Sequence, residues 1–131
     1  MLEKLFGITD RYTEIVTCLR DGLKADKSLY SLTDIDSGLF RNNREKGEEI
    51  PALRLLFEKA HRDNDKSLKE VAFEIVRTHF GGYVLTAAAL KYLLMFDNDS
   101  DVEKVFVDII SDADDYERYG DIAVDYWEDG V

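Results

Sequence analysis

One cysteine, one proline and two histidines are all that 131 residues hold of the types that most often staple, break or catalyse. The lone Cys18 cannot close an internal disulfide, and no N-terminal run joins a basic flank to an apolar stretch as a signal peptide does, so a cytoplasmic location is expected. The scarcity of proline argues against a many-turned β-sandwich. The longest apolar run, Tyr83 to Phe96, is interrupted by Lys91 and falls short of the roughly 20 apolar residues that span a bilayer, which excludes a transmembrane role. With so few histidines and thiols, the spacings that bind zinc or pair a nucleophile with a base are missing.

What is present is apolar and charged: hydrophobic residues make up 45% of the chain and charged residues 34%, too apolar for disorder. The length suits a single domain over residues 1–131 that needs no metal to fold. The net charge of −11 is unevenly spread. Residues 1–96 carry 15 acidic and 15 basic side chains, whereas residues 97–131 carry 13 acidic ones against two basic ones, Lys104 and Arg118. Such a segment repels nucleic acid and anionic membrane and attracts basic proteins.

Helical periodicity runs through most of the sequence. Thr9 or Asp10 can cap a helix over 10–23 whose apolar positions are Tyr12, Ile15, Val16, Leu19 and Leu23. The N-terminal part, 1–47, is less regular: Thr33, Asp34 or Asp36 could start a short helix through Phe40, and Arg41 to Gly47 reads as a loop. Pro51 sits in the first turn of a helix over 51–63 with the stripe Leu53, Leu56, Phe57 and Ala60. Ser67 and Glu70 form a capping box before Leu68, Val71, Ala72, Ile75 and Val76, and Gly81-Gly82 is expected to end that helix. Tyr83 to Phe96 is apolar nearly all round and is expected to be the central helix. A second box, Ser100 and Glu103, precedes inward-facing Val102, Val105, Phe106, Ile109 and Ile110, and Ser111 or Asp112 caps a last helix through Tyr126.

A weak internal repeat adds to this. Val71, Glu74, Ile75 and Val76 recur 34 residues later as Val105, Asp108, Ile109 and Ile110, and Ala52, Leu53, Arg54 and Leu56 recur 37 residues later as Ala89, Leu90, Lys91 and Leu93. Over residues 51–127 the pattern resembles HEAT-like helical repeats, which implies antiparallel helix pairs stacked on one another. The expected fold is all-α, with about six helices, as a short HEAT-like array or an irregular helical bundle.

Several constellations point to bland roles. Asp97 to Asp101 imitates the start of a calcium loop, but Val102 stands where that loop turns on glycine and Asp108 where it needs glutamate, so an acidic linker ending in a helix cap is the better reading. His61 and His79 fall near helix C-termini, where imidazole can cover terminal carbonyls. Cys18, among Ile15, Val16 and Leu19, reads as a core residue. Paired carboxylates such as Glu48-Glu49 lie in runs that look solvated, unlike a general acid raised by burial. The chain is therefore expected not to be an enzyme and to hold no metal or cofactor.

One constellation remains. Asp114, Glu117, Asp121, Asp125 and Glu128 step by three or four along the last helix and form an acidic ridge, beside Asp115, Tyr116, Tyr119, Tyr126 and Trp127. Tyrosine and tryptophan are enriched among the residues that anchor interfaces. A small acidic protein of this kind is similar in type to the bacterial immunity proteins that neutralise nuclease toxins. The resemblance implies an inhibitor that binds a basic toxin nuclease domain directly, through Asp114, Asp115, Tyr116, Glu117, Tyr119, Asp121, Asp125, Tyr126 and Trp127, with no direct contact to nucleic acid or membrane. Two alternatives differ in what they expect. A phage or mobile-element inhibitor that imitates DNA would spread carboxylates along its whole length, and a helical-repeat adaptor would offer a hydrophobic groove.

Overall fold

A computed structural model describes residues 8–33 and 51–129, with the side chains of 8–10 and 128–129 left aside. Its elements are α1 (Ile8–Lys24), α2 (Leu29–Leu32), α3 (Pro51–Arg62), a 3-10 turn (Lys66–Leu68), α4 (Lys69–Thr78), α5 (Gly82–Leu93), α6 (Ser100–Ser111) and α7 (Ala113–Asp129). The fold is all-α, and no strand occurs among the described residues. The expected short helix from Thr33 through Phe40 and the loop 41–47 lie almost wholly outside them; Thr33 itself is the C-cap of α2, which Ser28 caps at its other end.

The arrangement follows from which helices are apolar on more than one side. α5 is the hub and packs against α3, α4 and α7. Leu85, Ala89, Leu90, Tyr92 and Leu93 give it buried positions around much of its circumference. α1 lies across α3 and α4 with Ile15, Val16 and Leu19 inward, and α6 packs chiefly on α7. One continuous core runs through all of these helices, from Ile15 to Tyr126. The most extensively packed neighbours are α4 with α5 and α6 with α7, so the stacked pairs are offset by one helix from those the internal repeat implies. Hydrophobic spacing records which face of a helix is buried, and it carries no record of which helix covers that face.

The helix starts differ from expectation in a consistent way. Asp65 Oδ1 accepts from Ser67 N at 2.9 Å and opens the 3-10 turn, so Ser67 is inside the turn and α4 begins at Lys69 with no side-chain cap. Asp99 Oδ1 accepts from Asp101 N and Val102 N at 3.0 and 3.2 Å, which makes Asp99 the cap of α6 in place of Ser100. Asp112 caps α7 as expected, accepting from Asp114 N and Asp115 N, both at 3.0 Å. In each case the extended residue just ahead of the first turn is an aspartate, whose short carboxylate reaches the free amides.

Other expectations are corrected. α4 ends at Thr78 with His79 in the left-handed region, and Gly81 and Gly82, both at positive φ, lead into α5 instead of closing α4. Cys18 is exposed, because α1 buries the stripe through residues 15, 16 and 19 and position 18 lies off it. Ile110 is 41% exposed, outside the inward face formed by Val102, Phe106 and Ile109. A non-helical residue at Arg11 breaks the start of α1, so regular helix begins close to the expected position.

Candidate partner-binding face

The last two helices carry the acidic segment, and a single residue joins them. Asp112 is extended, at φ −111° and ψ 125°, between the end of α6 and the start of α7. An aromatic cluster then fixes the pair: the rings of Phe106 and Tyr126 stack with centroids 4.8 Å apart, and Trp127 meets both edge-on, at 6.5 Å from Phe106 and 5.4 Å from Tyr126. Tyr119 and Ala123 turn the same side of α7 toward α5, where Tyr119 touches Tyr83 at 6.4 Å between centroids.

This geometry sorts the expected binding residues into two groups. Asp114, Tyr116, Glu117, Asp121 and Asp125 are exposed, and Asp115 is half-buried. Asp114, Glu117, Asp121 and Asp125 keep the row along the outer side of α7 that their spacing predicts, with Glu128 outside the described side chains, whereas Tyr116 falls on the other side of the helix. Tyr119 and Tyr126 are only 3% and 7% exposed, and Trp127 is half-buried against Phe106. These three hold α7 in place and are not free anchors for a partner, the reason being that the side of the helix facing α5 and α6 needs their bulk. Tyr116 is the one predicted aromatic that stands out, at 52% exposure, with its ring lying over Gly120.

The charge on this outer row is little relieved within the described residues. None of Asp114, Glu117, Asp121 or Asp125 forms an ion pair there. Arg118, the single cation of α7, turns toward α5, with its guanidinium 4.8 Å from the Tyr83 ring centroid. Carboxylates at three- and four-residue spacing repel by a few tenths of a kcal/mol per pair, so the row costs the helix a little and would be relieved by a cationic surface. Asp101, Glu103 and Asp108 add exposed carboxylates on α6 that the expected binding set omits, although the charge count of the segment already includes them.

Compared with protein-family models, curated proteins and solved structures, the chain matches none. Chemistry and geometry therefore carry the functional argument.

Several polar groups outside the row have structural partners. Asp99, within the calcium-like run, caps α6 and pairs with Lys69 Nζ at 2.5 Å, and the ion pair with Lys69 holds its carboxyl below the usual range. Tyr12 donates to Asp65 Oδ2 at 2.5 Å. Burial pushes the Asp65 carboxyl up, but hydrogen bonds from Tyr12 and Ser67 outweigh it and leave the group below its ordinary value. His61 and His79 occupy the end of α3 and the C-cap of α4, as their positions predict. No cluster of three or more histidine, cysteine or acidic side chains suited to a metal occurs among the described residues, and no helix there is long and apolar enough to cross a membrane.

Proposed function

We propose that this protein acts by binding, as an acidic inhibitor of a basic protein, and that its partner is a nuclease-type toxin domain which it neutralises as an immunity protein does. The observation that carries the reading is the exposed row Asp114, Glu117, Asp121 and Asp125 on a helix whose opposite side is bolted to the core. A rigid row of charges speeds encounter with a cationic surface and fixes register when it docks. Nuclease domains are basic because they grip phosphate, which makes them natural complements to such a row. Tyr116 stands exposed near the start of α7, about half a turn around the helix from the row, and the buried Tyr119 and Tyr126 give the row its stiffness.

Imitation of DNA is the weaker alternative, because the acidic excess is confined to the last 35 residues.

The test is capture of partners from lysate of the source cell, with the native protein and with Asp114→Lys/Glu117→Lys/Asp121→Lys, at low and moderate salt. Capture of a basic nuclease whose cleavage is inhibited by the native chain and restored with the charge-reversed one is the expected result. A partner held equally by both forms, or one whose activity is untouched, would overturn the proposal.

A further inference from the structure

Four of the seven large hydrophobic side chains that stand exposed among the described residues belong to the last helix pair: Val107 and Ile110 on α6, Tyr116 and Val124 on α7. Helical phase, at about 100° per residue, gathers them on one side of that pair. Around α7, Tyr119 and Tyr126 turn toward α5, and Trp127 turns toward Phe106 of α6. Past Trp127 come Gly120, Val124, Glu117 and Asp121, in that angular order. Around α6, Val105 is half-buried against the core on one flank of Phe106, and Ile110, Glu103 and Val107 follow on the other. The two helices run antiparallel, since Phe106 in the middle of α6 meets Tyr126 and Trp127 far along α7. In such a pair both angular orders advance from the shared seam toward the same side. The Ile110 flank of α6 therefore adjoins the Gly120 flank of α7, turned away from α5, and the exposure of the four side chains shows that no described helix covers it.

Gly120 keeps this strip low. It lies inside a helix, where glycine weakens the backbone, yet the nearest atoms to an added Cβ would be those of the exposed Tyr116 ring, at 3.3 and 3.4 Å, with nothing of α5 or α6 closer. Close packing within the fold is thus not what keeps the position bare. The margins of the strip are anionic: Glu103, Glu117 and Asp121 stand exposed, and none forms an ion pair within the described residues. Lys104, the single cation of α6, lies beyond Val107 at the far edge, and Arg118 is turned to Tyr83. A second copy would set one anionic margin against another and be repelled. Two helical ridges with a low line between them suit a third helix. We propose that an amphipathic helix of the partner docks along this strip, a step that rests on reading the acidic segment as a surface for a basic protein. Its apolar stripe meets Val107, Ile110 and Val124, and its lysines or arginines reach Glu103, Glu117 and Asp121.

The probes are three stapled peptides of about three helical turns: a leucine stripe flanked by lysine, a serine stripe with the same lysines, and the leucine stripe flanked by glutamate. Each is titrated into the full chain labelled with nitrogen-15, at about 0.15 M salt, where long-range attraction is screened. The leucine and lysine peptide should shift amides of residues 103–110 and 116–127 alone and bind at least about tenfold tighter than either of the others. Val107→Ser/Val124→Ser, both changes at exposed positions, should bring its affinity down to that of the serine peptide while amides elsewhere keep their positions. Glu117→Gln/Asp121→Asn should weaken both lysine peptides. Equal affinities of the leucine and serine peptides would overturn the docking strip and leave the acidic inhibitor standing, since charge alone would then do the binding. Preference for the glutamate peptide, shifts elsewhere, no shift at millimolar peptide, or an affinity untouched by Val107→Ser/Val124→Ser would overturn it as well. Failure of the nuclease reading shows separately, as a native chain that inhibits no captured nuclease.

Discussion

Tyr92 joins three parts of the molecule through one hydroxyl. It donates to Asp65 O at 2.6 Å and accepts from Leu68 N at 3.1 Å, so a side chain of α5 satisfies both ends of the turn between α3 and α4. Burial pushes this phenol up to about 12. Tyr92→Phe leaves a buried amide and carbonyl unpaired and should destabilise by about 1–3 kcal/mol in urea unfolding. The converse holds at Thr86, whose buried hydroxyl lies against that of Tyr119 while neither makes a well-formed hydrogen bond. Thr86→Val should therefore be neutral or stabilising, by up to about 1 kcal/mol in the same measurement. Asp65 and Asp99 set the response to acid. Both have folded values below the ordinary carboxylate value of 3.8, so their contribution is complete above that value and lost as pH falls through the lower folded one. Urea midpoints of Asp99→Asn should start lower and fall less between about pH 5 and pH 2 than those of the native chain.

At the scale of helices, most elements are readable because each buries a stripe at the helical period. α3, α4, α6 and α7 follow their apolar spacing to within a few residues, and α5 is the hub that its nearly continuous apolar surface implies. Starts are less readable. Serine with a glutamate three residues on suggests a cap at Ser67 and Ser100, while Asp65 and Asp99 just ahead do the capping. Several polar residues in a row can each take that role, and the backbone decides which is extended. The link into α5 depends on Gly81, at φ 80°, where an added Cβ would lie 2.5 Å from Leu85 Cδ2. Gly81→Ala should cost more than the ~1 kcal/mol of backbone strain alone, read as a lowered urea midpoint. The apolar strip on the outer side of α6 and α7 escapes the sequence reading for a different reason. Ile110 looks like an ordinary core position, and only the packing shows that no described helix covers it.

Across the whole molecule, charge and stability pull against each other. The charge-balanced first 96 residues supply the hub and most of the core, and the acidic remainder is held to it by aromatics. That division is legible from composition alone. Which tyrosines face outward is not, because Tyr116, Tyr119 and Tyr126 follow similar spacings and are sorted only by where α5 and α6 lie. If the row serves a partner and not the fold, neutralising it should help stability while harming association. Glu117→Gln/Asp121→Asn should raise stability by a few tenths of a kcal/mol at low salt, a gain that added salt erases. The same change should slow association with the partner, measured as on-rate by stopped flow.

The single-residue joint at Asp112 makes the direction of the acidic row a matter of phase. A helix advances about 100° per residue, so one alanine inserted within α7 just after Tyr119 would swing every later carboxylate about a quarter-turn around the axis. The same insertion would rotate Tyr126 and Trp127 out of the stack with Phe106. The row thus cannot be re-aimed without unbolting the helix that carries it, and only swapping the side chains that already point outward alters what it presents.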